Sequence, residues 1–373
     1  MNPLSEFMSS RPGETIRLKP DWFVVTDGEH ALPGRLGGVH PAEPQKVKVF
    51  IDHETPCGSE KSADLQRLLI EYAGENGCEL FNGYGVSYQL MLDKYVQPGQ
   101  LVACCGKFGS IFASAGAFAV SLTADEMKSA VESGEIEVAV PETFTLKVTG
   151  ELRGRANGKD AVLAALPMLA GAKGRTLLVD SAAASWSASD KAAFMQLLSE
   201  CGCLTAVSGT ADSADCSLQL GDVVPMAAGP NDFTRAVPAA ECSGTAVTNV
   251  FIGGCSQGRI EDIRAAASVI RGRRVARSVR AMVAFATTKD FIAAANEGLI
   301  ARFLDAGVLV MNQGCSACYG RSQGLADGKD VVLSAGSRPC PNCNGEGDVP
   351  TYLCSAATAM ASAIAGYICP DEA

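Results

Sequence analysis

The chain has 373 residues, enough to bury a large core and, on length alone, to form two or three domains. A hydrophobic fraction of 47% against 19% charged residues excludes a disordered chain. A formal charge of −10, with no basic run beyond RGRR at 271–274, argues against nucleic acid as a partner, and the opening MNPLSEFMSSRPGET lacks the apolar core of a secretion signal, so a cytoplasmic location is expected.

Short β-branched runs alternate with longer helical patterns along the chain, which predicts parallel or mixed sheets covered by helices. KVKVFID reads as a strand with Asp52 at its end, and SADLQRLLIEYAGENG as an amphipathic helix closed by a glycine. ETFTLKVTGEL alternates like a half-exposed strand and KDAVLAALPMLAG follows as a helix; TLLVD and SASDKAAFMQLLSECG repeat the strand and a capped helix. Residues 208–245 are rich in Ser, Ala, Asp, Gly and Pro with weak periodicity, and a boundary is expected near their end. VTNVFIGGCSQGRIEDIRAAASVI reads as strand, turn, helix, which puts Cys255 on a strand-to-helix turn, where ligand sites of α/β sheets concentrate. ARFLDAGVLVMNQGCSACYG repeats the arrangement and ends its strand in a second cysteine loop. LCSAATAMASAIAGYIC is uncharged, but alanine and serine gain little from lipid, so it reads as a buried helix and not a membrane span.

Fifteen cysteines cannot all pair within one chain. In a reducing compartment they persist as small buried hydrophobes or as metal ligands, and Cys78, Cys201, Cys203, Cys216 and Cys242 are read as core. Cys315 and Cys318 form one C-x-x-C, Cys340 and Cys343 another, and Cys255 sits between glycines in GGCSQGR. Two loops at one sheet edge could bring Cys255, Cys315 and Cys318 together. The two C-x-x-C pairs, twenty-one residues apart, also have a spacing close to that of zinc ribbons, a reading that leaves Cys255 unexplained.

IGGCSQGRIEDIRAAA is similar to the G-S-C-T-N-S-R-x-E-D pattern of the aconitase superfamily, and AGVLVMNQGCSACYGR to its G-C-x-x-C-x-G. Within that superfamily the chain resembles the isopropylmalate dehydratase large-subunit branch more than any other. FIDHETP resembles D-H-x-x-P, VPETFTLKVTGELRGRANGKDAVL the P-E and K-D segment, SECGC the E-x-G-A segment and SAATAMASAIAGYICP the closing one. The resemblance implies an α/β fold, an aconitase-like three-domain α/β/α core without the swivelling fourth domain, with boundaries expected at 1–158, 159–244 and 245–373. It also implies a [4Fe–4S] cluster on Cys255, Cys315 and Cys318, with one iron left open as a Lewis acid. Asp52, His53 and Glu200 become the expected catalytic groups, and Arg259 and Arg338 the expected carboxylate clamps, since a guanidinium grips an acid with two parallel hydrogen bonds. The implied activity is dehydration of a small hydroxy-carboxylic acid, as a hydro-lyase large subunit working with a small subunit that carries the swivelling domain.

Several motifs depart from the family. GVSYQ puts Tyr88 where a histidine stands, CCGKFGSIF puts Gly106, Lys107 and Phe108 at an Asp-Ser-His group, Gln257 replaces an asparagine, and RPCPNC keeps Arg338 but has Cys343 at a second arginine. Lys107 could bring a cation towards an anionic substrate or turn outwards. If Cys340 or Cys343 reached the cluster it would close the open iron. The alternative expectation is therefore a non-catalytic iron–sulfur or zinc-binding paralogue of the same fold.

Overall fold

In a computed structural model, which describes residues 2–336, 344–345 and 347–370, the β-branched runs pair into three main open sheets. Arg338, Cys340 and Cys343 lie outside the described residues. The first sheet is parallel, in the order Glu79–Asn82, Val47–Ile51, Trp22–Thr26, Leu101–Cys104, Phe118–Ser121. All five residues of Val47–Ile51 are buried, as expected of a parallel strand covered on both faces. The helix Glu60–Asn76 starts where the Ser59 side chain accepts from the Ser62 N–H and stops at Gly77, whose φ of 68° an L-residue rarely adopts.

The second sheet is also parallel, in the order Thr205–Ser208, Thr176–Ser185, Thr143–Glu151, Cys216–Gln219. Thr143–Glu151 lies ahead of the boundary expected at 158, yet its crossover helix Gly158–Ala165 returns the chain to Thr176–Ser185 beside it. Strand, helix and strand thus form one β-α-β unit that spans residue 158. The third sheet runs Ala236–Pro238, Met226–Ala228, Thr351–Cys354, Val332–Ser334, Asn249–Ile252, Arg280–Val283, Leu309–Val310. Its first two strands, ahead of the boundary expected at 244, are antiparallel additions and the rest are parallel. Ala356–Ala365 is a helix buried along eight of its ten residues, packed with Ile260–Ile270. No helix among the described residues is long and apolar enough to cross a membrane.

Candidate active site

The strand order of the first sheet reverses beside Trp22–Thr26, and that of the third beside Asn249–Ile252. Such reversals open a crevice at the C-terminal ends of the strands. Asp27, Asp52 and Cys105 follow the three strands around the first reversal, and Cys255 and Ala335 follow the two at the second. The two edges touch: the Cys315 N–H donates to the Asp52 carbonyl (2.9 Å) and the Val86 N–H to the Ala286 carbonyl (2.7 Å).

At the first edge Asp27 organises the loop after Val47–Ile51. Its Oδ1 accepts from the backbone N–H of Asp52 (3.1 Å) and His53 (3.0 Å), and its Oδ2 from the N–H of Glu54 (3.2 Å) and from Gln66 Nε2 (3.2 Å). Burial alone would raise the Asp27 pKa, but the His53 ring and these N–H groups hold it well below the usual carboxylate range. Asp52 is fully buried; its Oδ2 accepts from the Ser87 N–H (2.6 Å) and its Oδ1 lies 2.6 Å from His53 Nδ1. Burial opposes a charge on His53, yet Asp52 above all, then the Cys315 thiol and Asp27, raise its pKa well above the ordinary histidine value. Nδ1 thus donates to carboxylate and Nε2 lies against Gly28, where a Cβ would overlap the ring.

The second edge supplies the thiols. Cys255, Cys315 and Cys318 are 6%, 7% and 7% exposed, so all three are removed from bulk water. The loops that carry them pack without room for side chains: a Cβ on Gly254 would lie 3.3 Å from Cys318 Cβ, and one on Gly336 2.8 Å from Cys318 Sγ. Ligand atoms of Asp52, His53 and Cys315 lie within 4.8 Å of one another. Burial pushes the Cys315 thiol up to about 11 while His53 opposes the rise. Two polar atoms at the same place have no hydrogen-bond partner among the described residues, Ser87 Oγ and Gln89 Oε1, although Gln89 Nε2 donates to the Cys255 carbonyl (2.5 Å). Three buried thiols, a neighbouring imidazole and unsatisfied polar atoms fit a soft, metal-containing group with an oxygen-bearing ligand beside it.

The protein-family model described as Aconitase family (aconitate hydratase) matches residues 43–219 and 228–366. The chain belongs to the aconitase family. It is 31% identical to the probable 3-isopropylmalate dehydratase large subunit of Methanothermobacter thermautotrophicus, over 98% of this chain and 97% of the relative. It is 30% identical to the homoaconitase large subunit of Thermus thermophilus, over 97% and 94%. The crystal structure of Thermococcus kodakaraensis aconitase X in its holo-form superposes with a TM-score of 0.58 at 10% identity, over 87% of this chain and 84% of that one, which supports the aconitase-like α/β fold.

The departures from the aconitase pattern have structural partners. The Tyr88 hydroxyl donates to the Cys105 carbonyl (3.1 Å) and would lie 3.3 Å from a Cβ on Gly106, so the replacement for the histidine packs against the replacement for the acid. Gln257 is wholly engaged: its Nε2 donates to Asp262 Oδ1 (2.9 Å) and its Oε1 accepts from the Ala356 N–H (2.8 Å). Arg259 caps the helix Ile260–Ile270 and its guanidinium meets Asp93 (3.3 Å). Glu200 lies in the short helix Leu198–Cys201, where its carboxylate acts on the thiols of Cys201 and Cys203.

Sequence reasoning passed over Asp27, Lys159 and a rim of three residues. Lys159, fully buried, donates to Ser256 Oγ (3.2 Å) and to the carbonyls of Ala335 (3.5 Å) and Gly336. Burial lowers its pKa to about 8, and the thiols of Cys255, Cys318 and Cys354 oppose the fall. At the rim the Tyr319 ring packs edge-on to His53 at 4.7 Å, its hydroxyl lies 3.0 Å from His30 Nε2, and Arg321 NH1 lies 2.8 Å from His30 Nδ1. The Arg321 side chain is exposed. The only sequence signal for Arg321 was its place directly behind the C-x-x-C loop.

Proposed function

We propose that this chain is the large subunit of an iron–sulfur hydro-lyase of the cytoplasm that removes water from a small hydroxy-carboxylic acid. The observation that carries the reading is the meeting of Cys315 with the Asp52–His53 pair where two sheet edges touch, beside the buried loops of Cys255 and Cys318. Relatives named 3-isopropylmalate dehydratase and homoaconitase large subunits support both the reaction class and a small partner subunit, which would bear the swivelling domain. The three cysteines would hold a [4Fe–4S] cluster, which when bound supplies a Lewis-acidic iron that polarises a hydroxyl as a leaving group.

The chain's own residues do the rest. Asp52 and Asp27 fix the imidazole through Nδ1 and keep a proton on Nε2, the position from which His53 serves as the acid for a departing hydroxyl. Ser87 Oγ and Gln89 Oε1 remain to orient the substrate. Arg321, on the segment that follows the C-x-x-C, offers an exposed guanidinium to a carboxylate. A second reading, a non-catalytic paralogue, is favoured by the packing of Tyr88 against Gly106 in place of an imidazole and an acid.

The test is dehydration of 2-isopropylmalate, homocitrate and citrate by the chain co-purified with its small subunit, followed by absorbance of the unsaturated product. Asp52→Asn and His53→Gln should each lose about 10²–10⁴-fold in turnover with the metal content unchanged. Glu200→Gln and Arg259→Gln test the roles their motifs imply. A loaded complex that dehydrates no hydroxy acid supports the non-catalytic reading.

A further inference from the structure

Lys159 has a relative exposure of 0%, and among the described residues none of its hydrogen bonds goes to a carboxylate. Burying an ammonium without an opposite charge costs several kcal/mol, roughly, so a position of this kind needs a countercharge nearby. Its three acceptors are neutral, but they border the thiols: Ser256 follows Cys255 in its loop, and Ala335 and Gly336 lie in the loop that packs on Cys318. The lysine itself comes from the second sheet's crossover helix Gly158–Ala165, so one side chain links that helix to both loops. Asp160, beside it in sequence, accepts from the backbone N–H groups of Met226 (2.9 Å) and Asn157 (3.0 Å) and, like Asp262, acts on the lysine only through space.

We infer that Lys159 is the counter-ion of the three-thiolate site, a positioning residue that sets the reduction potential of the bound cluster and slows its loss. The inference rests on the cluster reading and adds to it a role for a residue that touches neither substrate nor iron. Cysteines bind metal as thiolates, so loading the site places negative charge beside a cation already held in position. The cation stabilises the more reduced, more negative state of the cluster, and removing it drives the potential negative. Groups around metal ligands typically change metal affinity 10–100-fold when altered.

The experiment loads the parent, K159Q, K159M and K159R anaerobically and records iron and sulfide content, midpoint potential by spectroelectrochemistry, and the rate of iron loss to a chelator. The neutral variants should show a more negative potential and about tenfold or faster iron loss. K159R, which keeps the charge, should stay near the parent in both. A loaded neutral variant with the parent's potential and iron-loss rate overturns the inference and leaves the cluster reading intact. A parent without iron and sulfide overturns the cluster reading and this inference together. Melting of each apo-protein separates charge from folding: neutral variants that fail to fold even without the cluster make Lys159 a structural residue and also overturn the assignment.

Discussion

Gly28 has no room for a side chain, because a Cβ there would enter the His53 ring. Gly28→Ala should therefore destabilise the protein by about 1–3 kcal/mol through overpacking and displace the imidazole from Asp52, measured by denaturant unfolding and the histidine NMR resonances. An unchanged ring environment would separate the two residues. Arg321→Gln removes a charge-assisted contact worth about 1.5–3 kcal/mol, so the loaded protein should bind citrate about tenfold or more weakly. Undiminished citrate binding would move the carboxylate contact elsewhere. Asp52, His53 and the three cysteines were expected from their resemblance to aconitase motifs, and the folded chain holds Asp52, His53 and Cys315 within reach of one another. Asp27 and Lys159 were given no role: Asp27 lies in no matched motif and Lys159 only in the K-D segment, and the folded chain shows one gathering the N–H groups of residues 52–54 and the other sealed against Ser256.

Each cysteine loop inherits its place from a strand-to-helix or strand-to-turn connection, and this much followed from the hydrophobic periodicity around 249–270 and 299–318. The short strands within 208–245 did not show, since runs of three or four residues carry too few positions for an alternation to emerge. The first turn of the helix Ile260–Ile270 contains Asp262, whose pKa burial raises to about 8 although the backbone N–H and charge of Arg259 oppose it. An unfolded aspartate titrates near about 3.9, so between about pH 4 and about pH 8 the folded chain holds a proton that the unfolded chain lacks. The stability from this group is complete below that window and is lost as pH rises through it. Asp262→Asn should flatten the fall of the apo-protein's melting temperature across the same range. A parallel pH profile in the variant would assign the dependence to other groups.

At the scale of the molecule, the first and third sheets turn their C-terminal strand ends towards one another and the second contributes Lys159, so Cys315 meets the Asp52–His53 pair by long-range packing. Spacing alone could not have shown that meeting, because Asp52 and Cys315 are separated by most of the chain. Because relatives are named large subunits, the isolated chain should be inactive until a small subunit is added, with dehydratase turnover as the readout. Full activity of the single purified chain would remove the need for a partner. The central claim is that Cys255, Cys315 and Cys318 hold a cluster. Its most direct measurement is the iron, acid-labile sulfide and zinc content of anaerobically purified protein and of Cys255→Ser, Cys315→Ser and Cys318→Ser. About four irons and four sulfides per chain in the parent, lost in each serine variant, is the predicted result; stoichiometric zinc with neither iron nor sulfide would contradict it.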